Sequence, residues 1–193
     1  MAVSTPSDLH GDEPGSRVEV VDESRIPSAV DAAIRTLLCT CFPDDEPIFR
    51  RTRYWHDCAP LYSAVLAEGG RMLGHVGVIA RTIRWGPAQV LVAGIQNVAV
   101  HPGLRGRGQG ARLMAQAMEE ARRRELKFGL LFCLPRLENF YRSLGWVTIR
   151  EPVVVTDANG NRVSADSKNI CMALKLTNTG LPHGPIDLLG RDW

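Results

Sequence analysis

The stretch VAVHPGLRGRGQGARLM, residues 98–114, constrains the chain more than any other. Three residues of extended character, Val98, Ala99 and Val100, run into a loop where Arg105, Gly106, Arg107, Gly108, Gln109 and Gly110 alternate side chains with none. After it, Leu113, Met114, Ala117 and Ala121 recur on one helical face, and Glu119 with Arg123 and Glu120 with Arg124 are spaced to pair outside it. The amino end of a helix offers unpaired N–H groups and a partial positive charge, and glycines let an anion approach them. The pattern predicts a strand, an anion-binding turn and a helix, in that order.

Two common phosphate loops do not fit. A P-loop needs Lys and Ser or Thr after its last glycine, and Ala111 and Arg112 stand there. Gly106, Gly108 and Ala111 imitate a dinucleotide fingerprint, yet five residues separate Val100 from Gly106, and the next strand ends in CLP with no acid for a ribose.

The rest of the chain predicts one mixed α/β domain over residues 17–193, preceded by a polar, Pro- and Gly-containing leader at residues 1–16 that is expected to be disordered. RVEVVDES reads as a strand, and a helix follows Pro27 with Val30, Ile34, Leu37, Leu38 and Cys41 on one face, stopping at Pro43. A second short helix opens at Asp44, Asp45 and Glu46. LYSAVLAE, RMLGHVGVIARTIRW and QVLVAGIQNVAV then form an antiparallel meander. KFGLLFCL is a strand buried on both faces, RLENFYRSLG a helix, and two strands, WVTIREPVVVT and NICMALKL, close the domain.

A formal charge of +2 over 193 residues excludes a general nucleic-acid or membrane binder, and no apolar run approaches the ~18 residues of a membrane span. Five cysteines without a CxxC read as reduced thiols in a cytoplasmic protein, with no metal site expected.

The sequence VAV, HPGL, then Arg105-x-x-Gly108-x-Gly110 opening a helix resembles the acyl-CoA-binding motif of the GNAT superfamily of N-acetyltransferases. A second stretch, ENFYRSLGW, resembles that family's segment of a tyrosine followed by glycine and an aromatic residue; with the order of elements, the resemblance covers residues 17–176. The resemblance implies the GNAT fold, a mixed, mostly antiparallel sheet flanked by helices, with acetyl-CoA as co-substrate and a small-molecule amine as acceptor. It implies that Arg105, Gly106, Arg107, Gly108, Gln109, Gly110 and Ala111 hold the coenzyme's pyrophosphate. Val98, Ala99 and Val100 would carry the pantetheine arm and the main-chain donor to the thioester. It implies Tyr141 as the acid for the leaving thiolate.

Where many relatives have a glutamate just before the motif strand, this chain has Gln96, which cannot take a proton at neutral pH but can align an amine or a water. His75 and His101 are further candidates for the base. The chain closes PIDLLGRDW, which resembles the aminoglycoside 2'-N-acetyltransferase branch, where a terminal tryptophan carboxylate and a nearby aspartate contact the amine. Asp44, Asp45, Asp192 and Trp193 are therefore expected on the acceptor side. Weaker similarity runs to nodulation protein A, so a longer acyl chain stays open, as do a non-catalytic acyl-CoA sensor and assembly as a homodimer.

Overall fold

Strand β1, Arg17–Asp22, pairs antiparallel with β2, Tyr62–Glu68, and β2 with the first half of β3, Arg71–Trp85. At Gly86 and Pro87 the chain turns back into β4, Ala88–Val100, which runs antiparallel to β3 along its whole length. This is the predicted meander, seen in a computed structural model that describes residues 17–193 except Asp57 and Asp166; the expected leader lies outside the described residues.

The sheet changes character at β4. Strand β5, Phe128–Cys133, lies parallel to it, from Val92 opposite Phe128 to Ile95 opposite Leu131, and no pair follows. Strand β9, Ile170–Lys175, pairs antiparallel with β5 on one side and with β6, Val147–Ile149, on the other. Helix α1, Ser28–Cys41, begins after Pro27, and α2, Glu46–Phe49, follows it. Helix α3, Gln109–Arg123, connects β4 to β5, and α4, Glu138–Ser143, follows β5.

Packing follows the apolar periodicities. Ile34, Leu37 and Leu38 of α1 bury against Phe49, Val65 and Ala99, while Leu113, Met114 and Ala117 of α3 bury against Tyr62, Leu66 and Ile95. The expected pairing along α3 differs in one place: Glu119 meets Arg122 at 3.5 Å, and Glu120 takes both Arg123 at 3.3 Å and Arg124 at 2.7 Å.

The carboxyl-terminal part holds more strands than its sequence suggests. WVTIREPVVVT does not run straight through: β6 stays with β9, whereas β7, Val153–Thr156, leaves to pair with β8, Arg162–Ser164, and in parallel with β10, Ile186–Asp187. Pro152 lies at the break, where a residue without an N–H cannot extend a ladder on both sides. β10 also closes onto the far end of β3, opposite Trp85 and Arg84.

From β10 the tail returns across the sheet and ends buried, with Trp193 only 7% exposed. Its ring meets Phe132 edge to face at 5.7 Å and lies under the Arg81 guanidinium at 5.0 Å. The ring lies directly over Gly94, where an added Cβ would stand 2.5 Å from Trp193 Cε2 and 2.7 Å from Ile79 Cγ1. Gly94→Ala should therefore cost about 1–3 kcal/mol by overpacking. Thermal unfolding should show a lowered Tm with the far-UV dichroism unchanged; an unchanged Tm would contradict the seating of Trp193.

Candidate functional site

The parting of β4 from β5 makes a cavity of about 390 Å3 between them. Two features on β4 set it up. After Ile95 the strand loses β5, and at Asn97 it bulges, its register against β3 slipping between His75 and Gly77. Asn97 takes a φ of +52°, a left-handed conformation that asparagine tolerates better than most residues.

Beyond the bulge, His101 N–H donates to Leu73 O at 2.9 Å. Alternate residues of an antiparallel strand present their polar groups to the same side, so Ala99 also faces β3 while Val98 and Val100 face the gap. Val100 O accepts there from Arg105 Nε at 3.2 Å and from the Cys41 thiol at 3.4 Å. Val98 lines the cavity; Ala99 is buried under α1.

The predicted anion turn follows. Gly106 and Gly108 have φ of +76° and +75°, Gly108 caps α3, and an added Cβ at either would meet nothing within 4 Å. Arg112 N–H makes the first helical bond, to Gly108 O at 3.1 Å. The main-chain N–H groups of Gly106, Arg107, Gly108, Gln109, Gly110 and Ala111 have no acceptor among the described residues. Six bare N–H groups at a helix amino end form a cradle that suits a diphosphate. Arg105 and Arg107 are exposed beside it.

A larger groove of about 540 Å3 starts next to this turn at Ala111 and runs along the outer face of α3 past Gln116 and Glu119 to Trp146. None of the residues expected to move a proton lines it.

Tyr141 on α4 lines the cavity and is 5% exposed, in edge contact with Phe140 at 4.9 Å and Trp146 at 6.2 Å. Its hydroxyl has no hydrogen-bond partner among the described residues. Burial, with a smaller contribution from nearby Cys133, pushes the phenol well above its ordinary range, so the proton stays on. Burial likewise pushes the Cys133 thiol at the end of β5 up to about 11.

Gln96 is buried and already engaged. Its Oε1 accepts from Trp55 N–H at 3.2 Å and its Nε2 donates to Cys58 O at 2.7 Å. Asn97 does the same work beside it, accepting from Trp55 Nε1 at 2.7 Å and donating to Arg53 O at 2.8 Å. Four hydrogen bonds thus pin the loop of residues 53–58 to β4.

That loop brings His56, which sequence reasoning missed, to the cavity. His56 Nδ1 lies 2.8 Å from Asp192 Oδ1 of the docked tail. Nothing local in the sequence joins residue 56 to residue 192; the isolated polar WHDC stretch is the only trace. Asp45 and Trp193 also line the cavity, with Trp55 and Phe132 among its aromatic walls, whereas Asp44 does not reach it.

The other histidine candidates have structural duties. His101 accepts from Gly103 N–H at 3.3 Å and so caps its own turn. His75 is fully buried, its Nδ1 3.0 Å from Asn97 O and its Nε2 3.2 Å from Ser63 Oγ.

Comparison with known proteins gives a consistent set of matches. Residues 27–149 match the sequence model of the acetyltransferase (GNAT) domain. A 56-residue stretch is 39% identical to ycf52 of Gracilaria tenuistipitata var. liui, an uncharacterized N-acetyltransferase, over 29% of this chain and 31% of that one, so the match spans about a third of that relative's length. Among solved structures, YhbS of Escherichia coli, a GNAT family N-acetyltransferase in complex with CoA, superposes with a TM-score of 0.65 at 15% identity over 93% of both chains. A GNAT family acetyltransferase from Brucella melitensis in complex with acetyl-CoA superposes at 0.57 and 20% identity, over 88% of this chain and 94% of that one. At these identities the superpositions establish the fold.

Burial holds the His75 pKa down at about 4, below the ~6.5 of an unfolded chain. A depressed histidine leaves the unfolded state binding more protons between those values, so stability is lost as pH falls from about 6.5 to about 4, by up to about 3 kcal/mol. Denaturant unfolding of wild type and His75→Gln across that window should show a shallower pH slope in the variant; equal slopes would contradict a buried neutral imidazole.

Proposed function

This chain belongs to the acetyltransferase (GNAT) family, its domain match covering residues 27–149, and we propose that it transfers the acetyl group of acetyl-CoA to a primary amine of a small molecule, by direct attack in a ternary complex. The observation that carries the proposal is a succession along the chain: the gap-facing edge of β4 at Val98, which lines the cavity holding Tyr141, runs on into six unpaired N–H groups at the start of α3.

The residues present fit the coenzyme. The cradle at residues 106–111 is bare backbone, with Arg105 and Arg107 adding charge for a diphosphate. When bound, acetyl-CoA supplies the thioester carbonyl that the amine attacks. Val98 N–H, on the side of β4 that β5 has left, is the donor for the charge that develops on the carbonyl oxygen, a contact often worth a few kcal/mol.

Two proton movements fall to the protein. A free alkylamine is needed, although an alkylammonium holds its proton to about pH 10.4, and the departing sulfur must gain a proton. Tyr141 serves the second, since burial of the residue keeps its hydroxyl protonated and the hydroxyl faces no competing acceptor among the described residues. Gln96 acts by holding residues 55–58 against β4, because both its amide atoms are taken.

The acceptor side supports a compact cationic molecule. Asp45 and Asp192 supply negative charge, and Trp55, Phe132 and Trp193 supply aromatic faces. The cavity is at the low end of ligand sites in volume and must hold the thioester end as well. The acceptor class proposed is a single-ring primary amine, amino sugars included.

Mass spectrometry of reactions containing acetyl-CoA with glucosamine or 2-phenylethylamine should find the acetylated amine together with one equivalent of free thiol. Coenzyme A binding without acyl transfer to either amine would favour a sensor instead. Tyr141→Phe keeps the packing of the ring and removes the donor. Turnover should fall roughly 10²-fold or more while coenzyme A affinity persists; unchanged turnover would make Tyr141 a core residue only.

A further inference from the structure

We propose that His56 is the base that deprotonates the acceptor amine, and that Asp192 positions it. The proposal rests on the acyl-transfer reading above and supplies the step that Gln96, with both amide atoms engaged, leaves open.

The geometry is that of an oriented imidazole. His56 Nδ1 stands 2.8 Å from Asp192 Oδ1 and 3.3 Å from Asp192 O, so Nδ1–H donates to the tail and the lone pair resides on Nε2. Nε2 makes no hydrogen bond to any described residue, and the ring lines the cavity while remaining 35% exposed. It can therefore take a proton inside and release it to water. His56 has a φ of +47°, uncommon for a residue with a side chain, and the four hydrogen bonds from Gln96 and Asn97 hold the loop that imposes it.

The partner is held as firmly. Arg81 donates to Arg191 O and to Cys58 Sγ, and its guanidinium covers Trp193, so the tail and the His56 loop share one clamp. Among the described residues, the charged and titratable groups facing this end of the cavity are Asp192, Asp45, Arg81 and Cys58.

The protons balance. The ammonium gives one proton to His56 Nε2, leaving a free amine and an imidazolium whose Nδ1–H stays on Asp192. As the C–N bond forms and the C–S bond breaks, Tyr141 gives its proton to sulfur, and the second proton lost by nitrogen passes through water to the Tyr141 phenolate, which ends the turnover protonated as it began. One proton per turnover reaches solvent from His56.

Glycine adopts a positive φ without strain, so His56→Gly removes the ring without opposing the backbone. In a chain with an untagged carboxyl terminus, assayed with acetyl-CoA and the better of glucosamine and 2-phenylethylamine, His56→Gly should lower kcat about 10²-fold or more and leave the KM for acetyl-CoA unchanged. A fall in rate toward acid pH is expected in wild type and should be absent in the variant, and added imidazole should restore part of the rate. Asp192→Asn should lower kcat about tenfold alone and have no further effect in the His56→Gly background, because its contribution passes through the ring.

Wild-type kcat and pH profile in His56→Gly would overturn the proposal and leave the transferase reading intact. So would additive losses in the double variant with no response to imidazole. A wild-type chain that binds coenzyme A but acetylates neither amine would overturn the transferase reading itself, and this assignment with it.

Discussion

Everything functional in this molecule depends on β4 losing its neighbour. From Val92 to Ile95 the strand is paired on both edges; past Leu131 its partner β5 diverges, and residues of a central strand acquire an open edge inside the fold. An unpaired strand edge in a protein interior is costly unless something bonds to it. Here the open edge leads straight into the glycine turn and the amino end of α3, so unpaired donors of two kinds line up along one path. An elongated ligand with acceptors along its length satisfies them together, which is the physical sense in which the fold and its coenzyme belong to each other.

The polar residues around the gap keep it in shape. Gln96 and Asn97 spend their side chains on residues 53–58, and His75 spends its ring on Asn97 O and Ser63. Arg53, buried at the base of that loop, pairs with Asp31 of α1 at 2.9 Å and with Glu23, tying the loop to the first helix. Removing one member of such a buried charged group would leave the others uncompensated. The bulge therefore comes with bonds on both sides of it, and the loop bearing His56 and the tail bearing Asp192 meet over a rigid floor.

What the sequence made legible was local. The glycine turn, the apolar face of α3 and the β3–β4 hairpin each rest on periodicity or turn chemistry within about twenty residues, and each stands where those signals put it. Tyr141 and the loop glycines were singled out through motifs of similarly short span. The pairing of His56 with Asp192 spans 136 residues, and no local pattern marks either partner. The parting of β7 from β6 was missed because apolar residues on both sides of Pro152 read as one strand. The seat of Trp193 on Gly94 was missed because a glycine in a strand announces a close approach without saying of what. Gln96 was weighed as a residue that aligns the amine or a water, since sequence could not show that both its amide atoms were already bonded.

The central claim, that bare backbone from Val98 to the start of α3 receives the coenzyme, is tested most directly by amide NMR of the labelled chain titrated with coenzyme A. The account predicts the largest shifts at the amides of Val98, Gly106, Arg107, Gly108, Gln109, Gly110 and Ala111, with the amides of β1 and β8 unmoved. Saturable binding that shifts amides elsewhere and leaves those of the glycine turn in place would contradict it.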